Sequence, residues 1–265
     1  MDNVGVIGVG NMGGAMARNL LKNGYAVTVH DVVASSVDAL VRDGAHKAGS
    51  PKEVAESSDV IVVMVVNDKQ TTDVVTGPDG ILDGARPGTV VVLCSSLRPA
   101  TVTSLGASAE AKGVSVLDAP VTGGERGAID GTLAFLVGGD EGEIERVTPV
   151  LRAMGEHIVC AGPLGTGEVV KNVNNVLLWT TLAATREALR FAAEHGMSPE
   201  AVRDALQFSP GYNRWVKDWG SLGPTPWVHK DLETTLAIAN AHNVQMPVAA
   251  LCFELLKDWP SVRMD

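Results

Sequence analysis

The residue of this sequence best suited to moving a proton is Lys171, and Asn175 follows it four residues on. They lie in Gly165-Thr166-Gly167-Glu168-Val169-Val170-Lys171-Asn172-Val173-Asn174-Asn175, and a spacing of four puts both on one face of a helix. Most positions around them are apolar or amide. Partial desolvation disfavours the charged form of a lysine, and so does a neighbouring positive charge. A neutral amine in that setting can take a proton from an alcohol and return it to an alkoxide in the reverse direction. Asn175 is placed to fix the substrate oxygen. On this motif alone, a lysine that snorkels to solvent while Asn174 and Asn175 bond helix neighbours fits equally well.

Two further segments carry polar chemistry. Asp118-Ala119-Pro120-Val121-Thr122-Gly123-Gly124 follows a strand-like run and presents the Thr122 hydroxyl and the bare backbone N–H groups of Gly123 and Gly124, a cradle suited to a carboxylate. His229-Lys230-Asp231-Leu232 offers a second lysine, Lys230, well downstream. Each has a plainer alternative, a tight loop at a domain edge for the first and a surface charge for Lys230.

A dinucleotide signature stands at the start of the chain. Gly8-Val9-Gly10-Asn11-Met12-Gly13 fits GxGxxG, directly after the apolar run VGVI and directly before the helical pattern GAMARNLLKNG. The first glycine serves the tight turn, the second admits a pyrophosphate, and the third lets helix and strand approach. The helix N-terminus adds N–H donors and a favourable dipole. The next strand-like run, YAVTVH, ends at Asp31, 18 residues after Gly13, where a carboxylate accepts bonds from the adenosine ribose hydroxyls and repels a 2′-phosphate. No arginine follows in VVASS, so the expected cofactor is NAD rather than NADP.

The elements that must position these residues follow from periodicity. To about residue 163, short β-branched runs (VGVIG, YAVTVHD, DVIVVMVV, GTVVVLCSS, VSVLDAP, LAFLVGG, HIVCAG) alternate with helical patterns. Runs 60–66 and 89–93 are almost continuously apolar, as strands covered on both faces are. Residues 167–194 then form one long helical pattern, Ser198-Pro199-Glu200 opens another helix, and 209–227, rich in Gly, Pro and Trp, reads as a loop-bearing insertion. The expected fold is α/β: a doubly wound Rossmann-type NAD-binding domain over 1–163, followed by an all-helical substrate and oligomerisation domain over 164–265.

Composition excludes several classes. The 265 residues are 45% hydrophobic and 20% charged, ordinary globular usage. No stretch of about 18 apolar residues and no basic leader is present, so the expectation is a cytoplasmic protein with no membrane partner. Three cysteines, Cys94, Cys160 and Cys252, lack CxxC or CxxH spacing, which points to free thiols and to no metal site. A net charge of −10 with no basic block argues against nucleic acid. A small anionic substrate is compatible with it, because a local lysine and backbone N–H groups capture a carboxylate whatever the global charge.

The segments GVGNMGGAMARNLLKNG, DAPVTGG, GTGEVVKNVNN and KDL occur in the order and rough spacing of the β-hydroxyacid dehydrogenases, which the chain resembles from residue 3 to about 255. That family includes 3-hydroxyisobutyrate dehydrogenases, tartronate semialdehyde reductases and relatives of 6-phosphogluconate dehydrogenase. The resemblance implies hydride transfer between NAD(H) and a small 3-hydroxy acid or its semialdehyde, with Lys171 as the general acid/base and Asn175 orienting the substrate. It implies that Thr122, Gly123 and Gly124 hold the carboxylate, with threonine where the family often has serine. Lys230 corresponds to the family's second lysine, near nicotinamide and substrate. Cofactor contacts are implied for Gly8, Gly10, Asn11, Met12, Gly13, Asp31, Val65, Val66 and Ser96.

Departures from the pattern are also present. Leu93-Cys94-Ser95-Ser96 lacks the acidic residue often found there, and the sequence ends soon after FELLKDW, short of the family's last helical segment. Substrate side-chain contacts are expected in residues 208–215, and Tyr212, Trp215, Trp219 and Trp227 could wall a larger pocket, although core packing or a subunit interface is the commoner role of such residues. Two alternatives use the same architecture: an imine reductase-like enzyme and a non-catalytic nucleotide-binding module. Both lack the catalytic lysine, so Lys171 argues against each. The length and apolar character of 167–194 imply a homodimer or higher homo-oligomer.

Overall fold

A computed structural model describes residues 3–219 and 227–257. The chain divides into two compact units at Lys171/Asn172.

In the first unit the strands are β1 (Asn3–Ile7), β2 (Ala26–His30), β3 (His46–Lys47), β4 (Val60–Val63), β5 (Val90–Leu93), β6 (Ser115–Asp118), β7 (Val121–Thr122), β8 (Leu133–Gly138) and β9 (Gly155–Gly162). The helices between them are α1 (Asn11–Lys22), α2 (Ala34–Arg42), α3 (Pro51–Glu56), α4 (Asp68–Thr76), α5 (Ile81–Gly84), α6 (Pro99–Glu110), α7 (Gly124–Asp130) and α8 (Glu141–Arg152). The sheet order is β3-β2-β1-β4-β5-β6-β8-β7, with β9 on β8. The first six strands are parallel, β8 runs antiparallel to β6 and β7, and β9 runs parallel to β8. This is the doubly wound order, and its direction reverses between β1 and β4.

The continuous apolar runs read from the sequence are the central strands. Val60–Val63 and Val90–Leu93 are buried at every position because helices cover both faces. Two apolar clusters result, one per face. Met16, Leu20, Val29, Leu117 and Phe135 belong to the first, and Ile61, Val63, Ile81, Leu93 and Leu97 to the second. Local signals fix the helix starts: Ser50 accepts the Glu53 N–H at 3.2 Å ahead of Pro51, and Asp140 accepts the Glu143 N–H at 3.0 Å. The strands β3 and β7, each only two residues long, carry no pattern legible in the sequence.

Helix α9 (Thr166–Glu194) begins in the first unit and continues in the second, which also holds α10 (Pro199–Leu206), α11 (Arg214–Lys217), α12 (Val228–Ala241) and α13 (Pro247–Leu255). The second unit is helical throughout its described residues, as expected. Its core gathers Trp179, Leu182, Trp215, Val228, Leu232, Cys252 and Leu256. Trp179 and Trp215 lie with ring centroids 5.8 Å apart. Their N–H groups are satisfied by Asp231 Oδ2 at 3.1 Å and the Leu178 carbonyl at 2.8 Å. Trp215 is therefore a packing residue of this unit. The insertion read over 209–227 contains α11, and its stretch 220–226 lies outside the described residues.

Candidate active site

The glycine signature forms the β1–α1 turn, and its three glycines are required for different reasons. Gly8 has φ +85°, and a Cβ there would lie 2.4 Å from the Met64 carbonyl oxygen, just after β4. A Cβ on Gly13 would lie 1.9 Å from the Gly8 oxygen. A Cβ on Gly10 meets nothing within 4 Å, so the protein leaves space at the N-terminus of α1 that a side chain would fill. Gly10 caps α1 without a side-chain bond, leaving the first N–H groups of the helix to a ligand. Asn11 is exposed and Met12 half-buried beside this turn.

Asp31 follows β2, and its carboxylate accepts the Val9 N–H at 2.7 Å through Oδ2 and the Val33 N–H at 2.8 Å through Oδ1. It is thus tied to the glycine turn, with lone pairs remaining for ribose hydroxyls. Val65 and Val66 follow β4 at the switch point. Ser96 follows β5 and is half-buried, but the neighbouring Ser95 is the residue that joins the two strand ends. Its hydroxyl accepts the Val65 N–H at 3.0 Å and donates to the Val65 oxygen at 2.7 Å. The open Gly10 cradle, the helix N-terminus and Asp31 fit a dinucleotide.

The second half of the site in this unit lies beyond β6. Thr122 is half-buried at the end of β7, and Gly123 and Gly124 follow at φ +118° and +64°, exposed and in the left-handed region. A Cβ on Gly124 would meet nothing within 4 Å. Lys171 comes to this loop: its Nζ donates to the Val121 carbonyl at 2.9 Å, with the side chain half-buried. The amine is thereby placed beside Thr122, at the same strand ends that carry the glycine turn.

Two acids behind the lysine were given no role by the sequence analysis. Asp118, with 0% exposure, accepts the Gly165 N–H at 2.7 Å and the Glu168 N–H at 2.8 Å. Burial pushes its carboxyl up, against the lowering effect of these backbone bonds. Glu168, also 0% exposed, is pushed well above the usual carboxylate range by burial. The Leu97 backbone and the nearby Lys171 oppose that rise, while Asp118 and Asp68 add to it. Burial thus disfavours the charged form of both acids, and more strongly for Glu168 than for Asp118. The available signal was a charged residue closing an apolar parallel strand, the end at which helix N-termini gather. Cys94 lies close by, its thiol raised by burial and then by Glu168.

Asn175 and Lys230 belong to the second unit. Asn175 is buried, and its Oδ1 accepts from Asn174 Nδ2 at 3.1 Å. Lys230 is exposed in the first turn of α12. On that helix Thr235 donates to Asn172 Oδ1 at 2.7 Å, joining α12 to α9.

A glycine turn at the switch point of a doubly wound sheet, followed by a helical unit, defines a dinucleotide-binding protein with a separate helical domain. The family model described as the NAD binding domain of 6-phosphogluconate dehydrogenase matches residues 3–162. The model described as NAD-binding of NADP-dependent 3-hydroxyisobutyrate dehydrogenase matches residues 165–261. The chain is 34% identical to an NAD-dependent L-serine dehydrogenase of Pseudomonas aeruginosa, over 97% of this chain and 92% of that protein. It is 35% identical to a 3-hydroxyisobutyrate dehydrogenase of the same organism, over 96% and 91%. A solved structure of Mycobacterium tuberculosis 3-hydroxyisobutyrate dehydrogenase with L-serine superposes with a TM-score of 0.86 at 28% identity, covering 96% of this chain and 92% of that one. The chain belongs to the β-hydroxyacid dehydrogenase family. It is an oxidoreductase of hydroxyacids that uses NAD.

Proposed function

We propose that the substrate is a small 3-hydroxy acid, or in the reverse direction its semialdehyde, and that Lys171 is the general acid/base. The observation that carries this reading is the Lys171 Nζ bond to Val121, which sets the amine beside the Thr122–Gly124 cradle. L-Serine and 3-hydroxyisobutyrate, named for two of the relatives, share a primary alcohol one carbon removed from the carboxylate-bearing carbon. A carboxylate held by the Thr122 hydroxyl and the Gly123 and Gly124 N–H groups presents such an alcohol within a few bonds of its anchor. Gly8, Gly10, Asn11, Met12, Gly13, Asp31, Val65, Val66 and Ser96 would hold the cofactor, which when bound supplies the hydride acceptor or donor. Lys171 takes the alcohol proton during oxidation and returns it during reduction. Asn175 orients the reacting oxygen, and Lys230 supplies charge for the bound anion.

The same reading makes the enzyme cytoplasmic, in keeping with free thiols at Cys94, Cys160 and Cys252. Among the described residues no helix is long and apolar enough to cross a membrane. A homodimer or higher homo-oligomer is part of the proposal, supported by Val173, Leu177 and Phe191, exposed apolar residues of α9.

The test is NADH consumption with methylmalonate semialdehyde, tartronate semialdehyde, succinic semialdehyde and the serine-derived aldehyde, and NADH formation with the corresponding hydroxyacids. General acid/base groups contribute ~10²- to 10⁴-fold, so Lys171→Ala should lower kcat by that order and leave NADH affinity near wild type. Lys171→Arg should fail similarly, because a guanidinium stays protonated. Near-normal turnover by Lys171→Ala on the best substrate would overturn the assignment.

A further inference from the structure

The loop after β6 and the first turn of α9 are bonded to each other at two places. At one end the Asp118 carboxylate takes the Gly165 and Glu168 N–H groups at 2.7 and 2.8 Å. At the other, Lys171 Nζ reaches the Val121 carbonyl at 2.9 Å. Asp118 and Val121 are three residues apart, and so are Glu168 and Lys171, so the four residues close a small frame. The ε-amine is its only side held by a flexible side chain.

The surroundings are shaped to seat this carboxylate. A Cβ on Gly138 would lie 2.4 Å from Asp118 Oδ1, and a Cβ on Gly167 would lie 2.8 Å from Oδ2 and 2.2 Å from the Leu136 oxygen. Asp118 also pairs with Gly138 across β6 and β8, so its backbone is held by the sheet. A charged acceptor at a helix N-terminus makes short, strong bonds and is favoured by the helix dipole. Asp118 has no exposed surface, so loss of its carboxylate leaves two buried N–H groups without that acceptor.

We propose that Asp118 is a positioning residue for Lys171: by capping α9 from the neighbouring strand it fixes the first helical turn against the Val121–Gly124 loop, and so fixes where the amine stands relative to the anion cradle. This rests on Lys171 being the acid/base. Asp118→Asn keeps the shape but offers one acceptor atom for two N–H groups, and its amide nitrogen would face the other. The turn should then settle away from the loop, and a misplacement on the order of 1 Å at a reacting group costs up to ~10²-fold in rate.

The experiment is a double-mutant cycle on Asp118→Asn and Lys171→Ala in the full-length enzyme. NADH formation is followed in single turnovers with NAD and either L-serine or 3-hydroxyisobutyrate, whichever turns over faster, normalised to NADH-binding sites. Asp118→Asn is expected to slow the step about 10-fold or more when Lys171 is present and less than about 2-fold in the Lys171→Ala background, with NADH Kd within about 2-fold of wild type. A purely structural role would slow both backgrounds by the same factor, and that result overturns the proposal while leaving Lys171 catalytic. A Lys171→Ala enzyme as fast as wild type overturns both readings. If Asp118→Asn yields no folded protein, the smaller Asp118→Ser carries the same cycle with the same outcomes, because its hydroxyl can accept one of the two N–H groups but not both.

Discussion

Gly10 and Gly13 belong to one motif, yet alanine at each should fail in a different way. At Gly10 φ is −66°, which any residue adopts, and the added Cβ meets no protein atom within 4 Å. Gly10→Ala should keep the fold and stabilise it by about 0.4–1 kcal/mol, through the lower entropy of the unfolded chain. The methyl would occupy the space left at the α1 N-terminus, and a pyrophosphate pushed away from it loses at least one charge-assisted N–H bond. Such a bond contributes about 1.5–3 kcal/mol, so NADH Kd should rise roughly 10- to 150-fold. At Gly13 the Cβ would lie 1.9 Å from the Gly8 oxygen and 3.3 Å from Met64 Cβ, so the turn itself must shift. Gly13→Ala should cost about 1–3 kcal/mol of stability in addition to cofactor binding. Thermal melts followed by circular dichroism, with calorimetric titration of NADH, separate the two. Wild-type NADH affinity in Gly10→Ala, or a loss of Tm there matching that of Gly13→Ala, would refute this division of roles.

Asp31→Ala should narrow the preference for NAD(H) over NADP(H), read as the ratio of kcat/KM values, and should also lower Tm because the Val9 and Val33 N–H groups lose their acceptor. A wild-type enzyme already better with NADPH would contradict the first half. For Glu168 the folded-state pKa is raised, so the folded chain holds a proton that the unfolded chain releases near 4.5. Its contribution is complete below that pH and is lost as pH climbs toward the folded-state value. Glu168→Gln, which cannot ionise, should therefore gain in Tm relative to wild type as pH is raised from 4.5; a difference that is flat or shrinks with pH counts against a protonated Glu168. Light scattering at micromolar concentration should give at least a dimer mass, and a monomer would remove the oligomer from the proposal.

The sequence by itself determined what depends on neighbours along the chain. GxGxxG between an apolar run and a helical pattern specifies a turn that needs a left-handed φ at Gly8 and a close approach at Gly13, and both are there. The helical period puts Lys171 and Asn175 on one face, and continuous valine runs mark the central strands. Tertiary structure decided which loops face each other. Val121 and Lys171 lie 50 residues apart, and Asp118 and Gly165 lie 47 apart. Periodicity says which side of an element is buried, but not which carbonyl or N–H waits across the gap. For that reason the Asp118 carboxylate, named in its motif, had no role until the start of α9 was seen against it. The same limit hid Ser95 behind Ser96, because only the β4 end shows which hydroxyl faces Val65. It also left Trp215 undecided between pocket and core until Trp179 was found beside it. The strands β3 and β7 are too short to carry an alternating pattern and exist only because a neighbouring strand offers its edge.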